Sequence, residues 1–413
     1  MNSLTRNRDF LKLWIGQAVS ELGSRITREG IPLTAVLVLH VQPPEMGLLS
    51  GVGAASVLVF GLSAGVWVDR MSRRATLIGT DLGRALLLAT IPLAAAWHAL
   101  GMAQLFVVTA LTGVLTVFFD VAWQSYLPSL VERDQIFEGN TKLMLTATAA
   151  EVAGPGLTGV LVQLITAPLA ILFDAVSFVF SAIMVMLIRR REIKAKPVER
   201  KQHVWRESIA GLHFIAGHKV LRALALRSAV FYFFGGFFMP LYVIYAIDTL
   251  HLSPAILGLV IATGGVGGIL GSAMASRITQ RLGLGPTFIV MALTHGVASA
   301  LMPLAHGAPL QAMWYMMGAQ LFGDSAFTVY SINETSLRQM VVPRELLGRV
   351  NAAIQLASRG VLPLGAVTGG FLAGAFGVRP VMAVAVVGVI LSVLLLAGSS
   401  IQSLRQDAIT RVA

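Results

Sequence analysis

The chain has 413 residues, 56% of them hydrophobic and 12% charged, with a net charge of +11 and no cysteine. A soluble domain carries about 25% charged residues, so this composition excludes a fold bathed in water and asks for lipid as its solvent. The basic residues lie scattered between apolar runs, which excludes a nucleic-acid-binding face, and the lack of cysteine excludes thiol catalysis, disulfides and Cys-ligated metal.

In chain order, a basic start (Arg6, Arg8, Lys12) runs into a long apolar stretch with no small-residue cleavage pattern. It reads as a retained first span and not a signal peptide. A span needs about 20 mainly apolar residues. Candidates lie near 10–39, 46–68, 76–98, 103–125, 139–165 and 168–188, and again near 221–246, 254–276, 285–305, 310–334, 350–376 and 379–400. Connections as short as His98–Gln104 and Thr166–Pro168 force antiparallel neighbours. The fold class expected is an all-α membrane protein of twelve transmembrane helices in two six-helix bundles. The expected domains are 1–188, a cytoplasmic linker 189–219, and 220–413.

Basic residues set orientation in the bilayer. They collect in the even-numbered connections: Arg70, Arg73 and Arg74; Arg133; the run from Arg189 to Arg206; Arg277 and Arg281; and Arg338, Arg344 and Arg349. The odd-numbered connections hold almost none, with Arg379 the clear exception. Both termini are therefore expected in the cytoplasm. The long connection RRREIKAKPVERKQHVWRE, starting at Arg189, reads as a solvated linker with a basic, membrane-facing flank.

The halves resemble each other. VERDQIFEGN (Val131–Asn140) follows the fourth span and VPRELLGRVN (Val342–Asn351) the tenth, and Val, Arg, an acid and Asn coincide without gaps. Further on, Gly154-Pro155-Gly156-Leu157-Thr158-Gly159 is answered by Pro363-Leu364-Gly365 and Thr368-Gly369-Gly370. A six-span unit repeated in parallel places a substrate cavity between halves, near mid-membrane. Small residues at Gly61/Gly65, Gly264/Gly268, Gly267/Gly271 and Gly370/Gly374 have the spacing of close helix packing. The GGVGG at 264–268 lies inside an apolar span and is no nucleotide loop.

Charges inside spans are costly and mark function by default. The first span carries Glu21, Arg25, Arg28 and Glu29, and Glu21–Arg25 and Arg25–Glu29 are both i,i+4 pairs on one helical face. Glu151, Asp324 and Arg359 lie in the fifth, tenth and eleventh spans, with Asp324 and Arg359 at comparable depth for pairing. Asp174 and His295 read as structural, the histidine as a hydrogen-bonded packing residue. No H-E-x-x-H, G-x-S-x-G or G-x-x-x-x-G-K-[ST] occurs. The expectation is thus no enzyme, no cofactor and no metal, with energy drawn from a gradient.

Gly65-Val66-Trp67-Val68-Asp69-Arg70-Met71-Ser72-Arg73-Arg74 resembles the loop signature of the major facilitator superfamily, with Ser72 in place of the usual second glycine. The matching loop of the second half keeps Gly271 and Arg277 but no aspartate. FDVAWQSYLPSLV (Phe119–Val131), FDAVSF (Phe173–Phe178), VLRAL (Val220–Leu224), ELLGRVNA (Glu345–Ala352) and SRGVLPLGAVTGG (Ser358–Gly370) resemble the branch of enterobactin exporters and macrolide-efflux proteins. In the fifth span, Gly154, Pro155 and Gly159 match part of the antiporter signature G-P-x-x-G-G.

The resemblance implies a proton-coupled exporter of a small amphiphilic compound (drug, macrolide or siderophore), working by alternating access in a bacterial inner membrane as a monomer. Its partners would be the bilayer, the small-molecule substrate and the proton, with no nucleic acid. It implies a cytoplasmic gate of Gly65, Asp69, Arg70, Arg73 and Arg74, with Asp69 docking on the eleventh span near Arg349 and Asp120 pairing with the loop arginines. The first span would line the cavity, with Glu21 as the coupling acid and Glu29 able to share the role. A lysophospholipid or other lipid translocator and a nutrient uptake symporter remain the alternatives, along with a non-transporting receptor or scaffold.

Overall fold

The structure, a computed structural model, describes residues 4, 7–68, 70–190, 204–398 and 401. Among these residues all longer regular structure is helical. The elements are α1 (Arg8–Leu37), α2 (Pro43–Val68), α3 (Arg73–Ala96), α4 (Met102–Leu130), α5 (Ile136–Ile165), α6 (Ala167–Met186), α7 (Val204–Gly217) and α8 (Lys219–Ile244). They continue with α9 (Pro254–Leu282), α10 (Leu284–Ser299), α11 (Leu301–Leu304), α12 (Pro309–Val341), α13 (Leu347–Arg359), α14 (Leu362–Phe376), α15 (Val378–Leu391) and α16 (Leu394–Ala397).

Ten helical stretches among the described residues are long and apolar enough to cross a membrane, where twelve are expected from the sequence. The two long helices outside that set are α1, with Glu21, Arg25, Arg28 and Glu29 in its middle, and α12, with Asp324, Glu334 and Arg338. Large apolar side chains face outward from the qualifying helices, among them Leu86, Leu164, Val176 and Phe376. Such a surface is stable in lipid and a liability in water.

The chain divides into two compact units. The first holds Met1–Val41, Val52–Arg200 and Ser253–Ala262; the second holds Gln42–Gly51, Lys201–Leu252 and Thr263–Ala413. In the first unit α1 packs along α6 through Gly16, Gly23 and Gly30, which recur two turns apart on one face. A Cβ at Gly16 would lie 3.0 Å from Met184 Cβ and one at Gly30 2.9 Å from Ile171 Cγ1, while Gly23 stands against Ser177 and Asp174. Small residues here let two helix backbones approach closely. A buried cluster of Phe10, Leu13, Leu77, Phe119, Tyr126 and Leu130 closes one end of this unit.

In the second unit α8 packs on α14, and Phe288, Tyr330, Leu337 and Val393 centre the core. The stretch expected as a solvated linker contains α7, whose Ile215 enters a cluster with Val350, Ala353 and Ile354 of α13.

The repeat is deeper than the two matched segments of sequence. The interval that carries Val131 onto Val342 also carries the starts of α1, α2, α3, α5 and α6 onto those of α8, α9, α10, α13 and α15. It carries His40 (φ 49°) onto His251 (φ 53°) and Thr166 (φ 120°) onto Gly377 (φ 88°), all in the left-handed region. Two departures stand out. The helix matching α4 starts early, at Pro309, and the one matching α5 is broken between Arg359 and Leu362, just ahead of Pro363. Proline lacks the donor and clashes with the preceding turn, which accounts for the break.

Candidate functional site

Of the two intrahelical pairs that the spacing offers on α1, Glu21–Arg25 forms and Arg25–Glu29 does not. Arg25 reaches across to Glu151 of α5, with Glu21 at 3.5 Å as its weaker partner. Arg28 Nη2 donates to Glu151 Oε1 at 2.7 Å and its Nε to Glu29 Oε1 at 3.3 Å. Glu29 thus pairs with Arg28 and not with Arg25. Glu21 also accepts from Gln17 Nε2 at 3.1 Å. Glu151 can come this close because Gly154, one turn along α5, has no side chain to collide with Arg25. The remaining antiporter-like residues make backbone contacts: Gly159 stands against the carbonyl of Pro254, and Gly258 against that of Pro155.

Beside this cluster the first unit holds a cavity of about 420 Å³. Its walls come from α1, α2, α3, α4 and α6 and include Glu21, Arg25, Arg28, Arg84, Asp120 and Asp174. Apolar surface comes from Val57, Leu88, Phe119 and Phe178. The volume falls in the range of small-molecule sites. Asp120 therefore sits in the cavity wall with Glu21 and Arg84, and not against the loop arginines. Asp174, read from the sequence as purely structural, is 1% exposed and also lines it.

Sequence reasoning missed one pair entirely. Asp81 and Arg84 of α3 are both buried and bridge at 2.6 Å. The Arg84 guanidinium lies 4.3 Å from the Phe119 ring centre and 4.0 Å from that of Phe178, a desolvated cation–π sandwich. The signal was two opposite charges at i,i+3 inside an apolar span. In the second unit Arg227, 2% exposed, is held likewise, 4.4 Å from the Phe231 ring and 4.1 Å from Tyr330. Glu334 and Arg338 pair at 3.6 Å.

The expected gate is only partly in view. Asp69 lies outside the described residues, and with it the docking proposed for it. Gly65 is half-buried with open space about it, Arg70 is exposed, and Arg73 lies in the first turn of α3. Ser72 caps α3 by accepting from the Ala75 amide at 3.3 Å. Arg74 Nη2 donates to the Met186 carbonyl at 2.6 Å and Lys12 Nζ to that of Leu187 at 2.7 Å, so cations close the C-terminal end of α6. Asp9 accepts from Lys12 and from the amides of Arg189 and Arg190. Partial burial pushes its carboxyl up, but these bonds together hold it below the ordinary aspartate value.

In the second unit Arg349 is exposed and its carbonyl abuts Gly211 of α7. Asp324 stands against Gly264, while Arg359 is exposed and forms no ion pair among the described residues, so the expected pairing of Asp324 with Arg359 is absent. His295 Nδ1 lies 2.9 Å from the Gly323 carbonyl and packs among Phe231 and Phe327, the packing role its sequence suggests.

A helical membrane protein with an internal six-helix repeat and a charged cavity has the form of a major facilitator transporter. Its fold matches that of a bacterial homologue of the iron transporter ferroportin, solved in an inward-facing state, with a TM-score of 0.74 at 21% identity over 96% of this chain and 99% of that one. The multidrug efflux pump Tap of Mycolicibacterium fortuitum is 25% identical over 91% of each chain. Macrolide efflux protein A of Streptococcus pyogenes is 23% identical over 90% of each. The transmembrane secretion effector family matches residues 3–412, and the chain belongs to that family of major facilitator transporters.

Proposed function

We propose that this transporter is a proton-coupled exporter of small amphiphilic compounds, spanning the inner membrane twelve times with both termini in the cytoplasm. In this reading α1 and α12 are the two further spans, less apolar because they turn charged faces to water-filled space instead of lipid. Bundles 1–188 and 220–413 move about the substrate in alternating access, joined by 189–219. Export is favoured over nutrient uptake by the efflux pumps among its relatives. The scatter of Lys and Arg along the chain supports the orientation.

One observation carries the coupling assignment. Glu21 lines the cavity yet is bound to Arg25 only at 3.5 Å, because Arg25 already has Glu151. Glu21 can therefore gain and lose a proton without leaving Arg25 as an unpaired buried cation, whose cost would be several kcal/mol. A change in wetting or pairing as the cavity changes sides then converts protonation into transport. Glu29, bound at 3.3 Å by Arg28, is less free.

Glu21→Gln keeps shape and most hydrogen bonding but cannot titrate. The variant is expected to lose protonophore-sensitive uphill efflux while still binding substrate and exchanging it downhill. Uphill efflux at the wild-type rate from Glu21→Gln, in membranes holding normal amounts of protein, would remove Glu21 from the mechanism.

A further inference from the structure

The second unit buries two arginines near one acid, and none of the three is well satisfied. Arg227 of α8 is buried, its guanidinium 4.4 Å from the Phe231 ring centre and 4.1 Å from that of Tyr330. Among the described residues no acid lies within ion-pair distance of it, and its Nε has no acceptor. Arg338 of α12 is largely buried, and its Nε lacks an acceptor as well. It meets Glu334 Oε1 only at 3.6 Å, close enough for an ion pair but too long for a hydrogen bond. A buried guanidinium without a carboxylate is costly, so both cations compete for Glu334. The geometry lets either of them win. Tyr330, Glu334 and Arg338 follow one another at i,i+4 on a single face of α12. Because Arg227 lies on Tyr330, Glu334 stands one turn from each cation, and both act on it electrostatically. Helical side chains lean toward the N-terminus of their helix, which for Glu334 is the direction of Tyr330 and Arg227. The helices α8 and α12 meet here through side chains, with Phe231 stacked on Phe327 at 5.6 Å and Gln320 donating to the Tyr242 hydroxyl at 3.0 Å.

We propose that Glu334 changes partner between Arg338 and Arg227, giving the second unit a two-position ion pair. In this structure the pair lies within α12; in the other position it ties α12 to α8. The inference goes beyond the exporter reading and depends on neither the substrate nor the proton. Neither position strands the arginine that Glu334 leaves. Arg227 keeps its two ring faces, and Arg338 stands in the last turn of α12, where the helix dipole favours a cation. The two positions are therefore close in free energy, as a switch requires, and a modest differential contact elsewhere in the unit selects between them. The first unit has Gly16, Trp123 and Leu127 at the matching positions, so the device belongs to the second alone.

Redundancy of the two arginines provides the test, read by thermal unfolding of the purified full-length protein in detergent. Arg338→Met alone is expected to lower the midpoint by only a few degrees, because Arg227 takes over Glu334. Arg227→Met alone should cost a similar amount, because Arg338 keeps it. The double variant leaves Glu334 buried without a cation, and its loss should reach roughly twice the sum of the single losses or more. Adding Glu334→Gln to the double variant should restore most of that excess, since an amide needs no counterion. Hydrogen exchange read by mass spectrometry gives a second measure, which decides if the double variant does not fold. Arg338→Met holds Glu334 on Arg227 and should slow exchange of the α8 amides around Arg227 by about twofold or more. Single losses that simply add, an excess that Glu334→Gln does not relieve, or unchanged exchange around Arg227 in Arg338→Met would each overturn the proposal.

Discussion

Each unit buries one guanidinium against aromatic rings, and the two are built differently. In the first, Arg84 comes from α3 and lies on Phe119 of α4; in the second, Arg227 comes from α8 and lies on Tyr330 of α12. Phe119 and Tyr330 correspond through the repeat, but the position matching Arg84 is His295 and that matching Arg227 is Gly16. Duplication has kept a cation over the same ring while taking it from another helix. The counterions differ as well. Asp81 meets Arg84 at 2.6 Å, whereas Glu334 is bound to Arg338 at 3.6 Å and makes no ion pair with Arg227 among the described residues. The repeat thus preserves backbone register, while the helix that supplies the stacked cation and the acid that answers it differ between the units.

The largest expected effect breaks that comparison at its sharpest point. Arg84→Met leaves the buried Asp81 without its cation, which costs about 3–5 kcal/mol. Arg227→Met removes a ring-stacked cation but strands no acid, since Glu334 keeps Arg338, so about 1–2 kcal/mol is expected. Thermal unfolding in detergent reads both, and the double variant Arg84→Met with Asp81→Asn should recover most of the loss. Equal destabilisation by the two single changes would mean that the pairing of Asp81 is not what distinguishes the units.

Much of the frame was legible in the chain because it depends on composition and period. The spans, the matched Val131 and Val342 segments, and the packing of Gly267, Gly271, Gly370 and Gly374 all follow from local pattern. Gly267 and Gly271 face the Leu321 and Ser325 backbone of α12, and Gly370 and Gly374 face Pro43, Gly47 and Pro44 of α2. What failed depends on which helix lies opposite. Arg25 chose Glu151 over Glu29 because Gly154 opened a path that no i,i+4 rule contains. Asp120 reads as a gate residue near a loop, yet the packing of α4 beside α3 and α1 puts it in the cavity wall. Arg379 departs from the charge rule because its Nε caps the Pro303 carbonyl at 2.6 Å at the end of α11. Topology statistics cannot anticipate a cap made by a distant helix.

A smaller effect tests what the halves share. Gly159 stands against the Pro254 carbonyl in the first unit, and its match Gly370 lies against the Pro43 carbonyl in the second, where a Cβ would come to 2.6 Å. Backbone cannot yield as a flexible side chain can, so Gly159→Ala and Gly370→Ala should each cost about 1–3 kcal/mol, by similar amounts. Gly61→Ala is the control, since a Cβ there meets nothing, and removing a helical glycine should be neutral or stabilise by up to about 1 kcal/mol. Unequal costs at the matched pair, measured by thermal unfolding, would show that the seams have diverged despite their common register.

The smallest effect concerns the helix starts. α1 is tied to the end of α6 by Asp9, which takes the Arg189 and Arg190 amides at 3.0–3.3 Å; the matching residue at the start of α8 is Val220, buried among apolar neighbours. Asp9 is held below the ordinary aspartate value of about 3.9, so its contribution to stability is fully present above that value. That contribution fades as pH falls through the depressed value, because protonation weakens the acceptor. The group lies at the partly exposed start of α1, and screening limits the gain to about 1 kcal/mol or less. Asp9→Ala should speed hydrogen exchange at Arg189 and Arg190 near neutral pH by up to about fivefold, and this difference from wild type should shrink as the pH is lowered below about 3.9. Exchange at the start of α8 should show no such pH-dependent difference. A difference between wild type and Asp9→Ala that persists undiminished at low pH would mean that the packing of α1 on α6, and not the carboxylate, protects those amides.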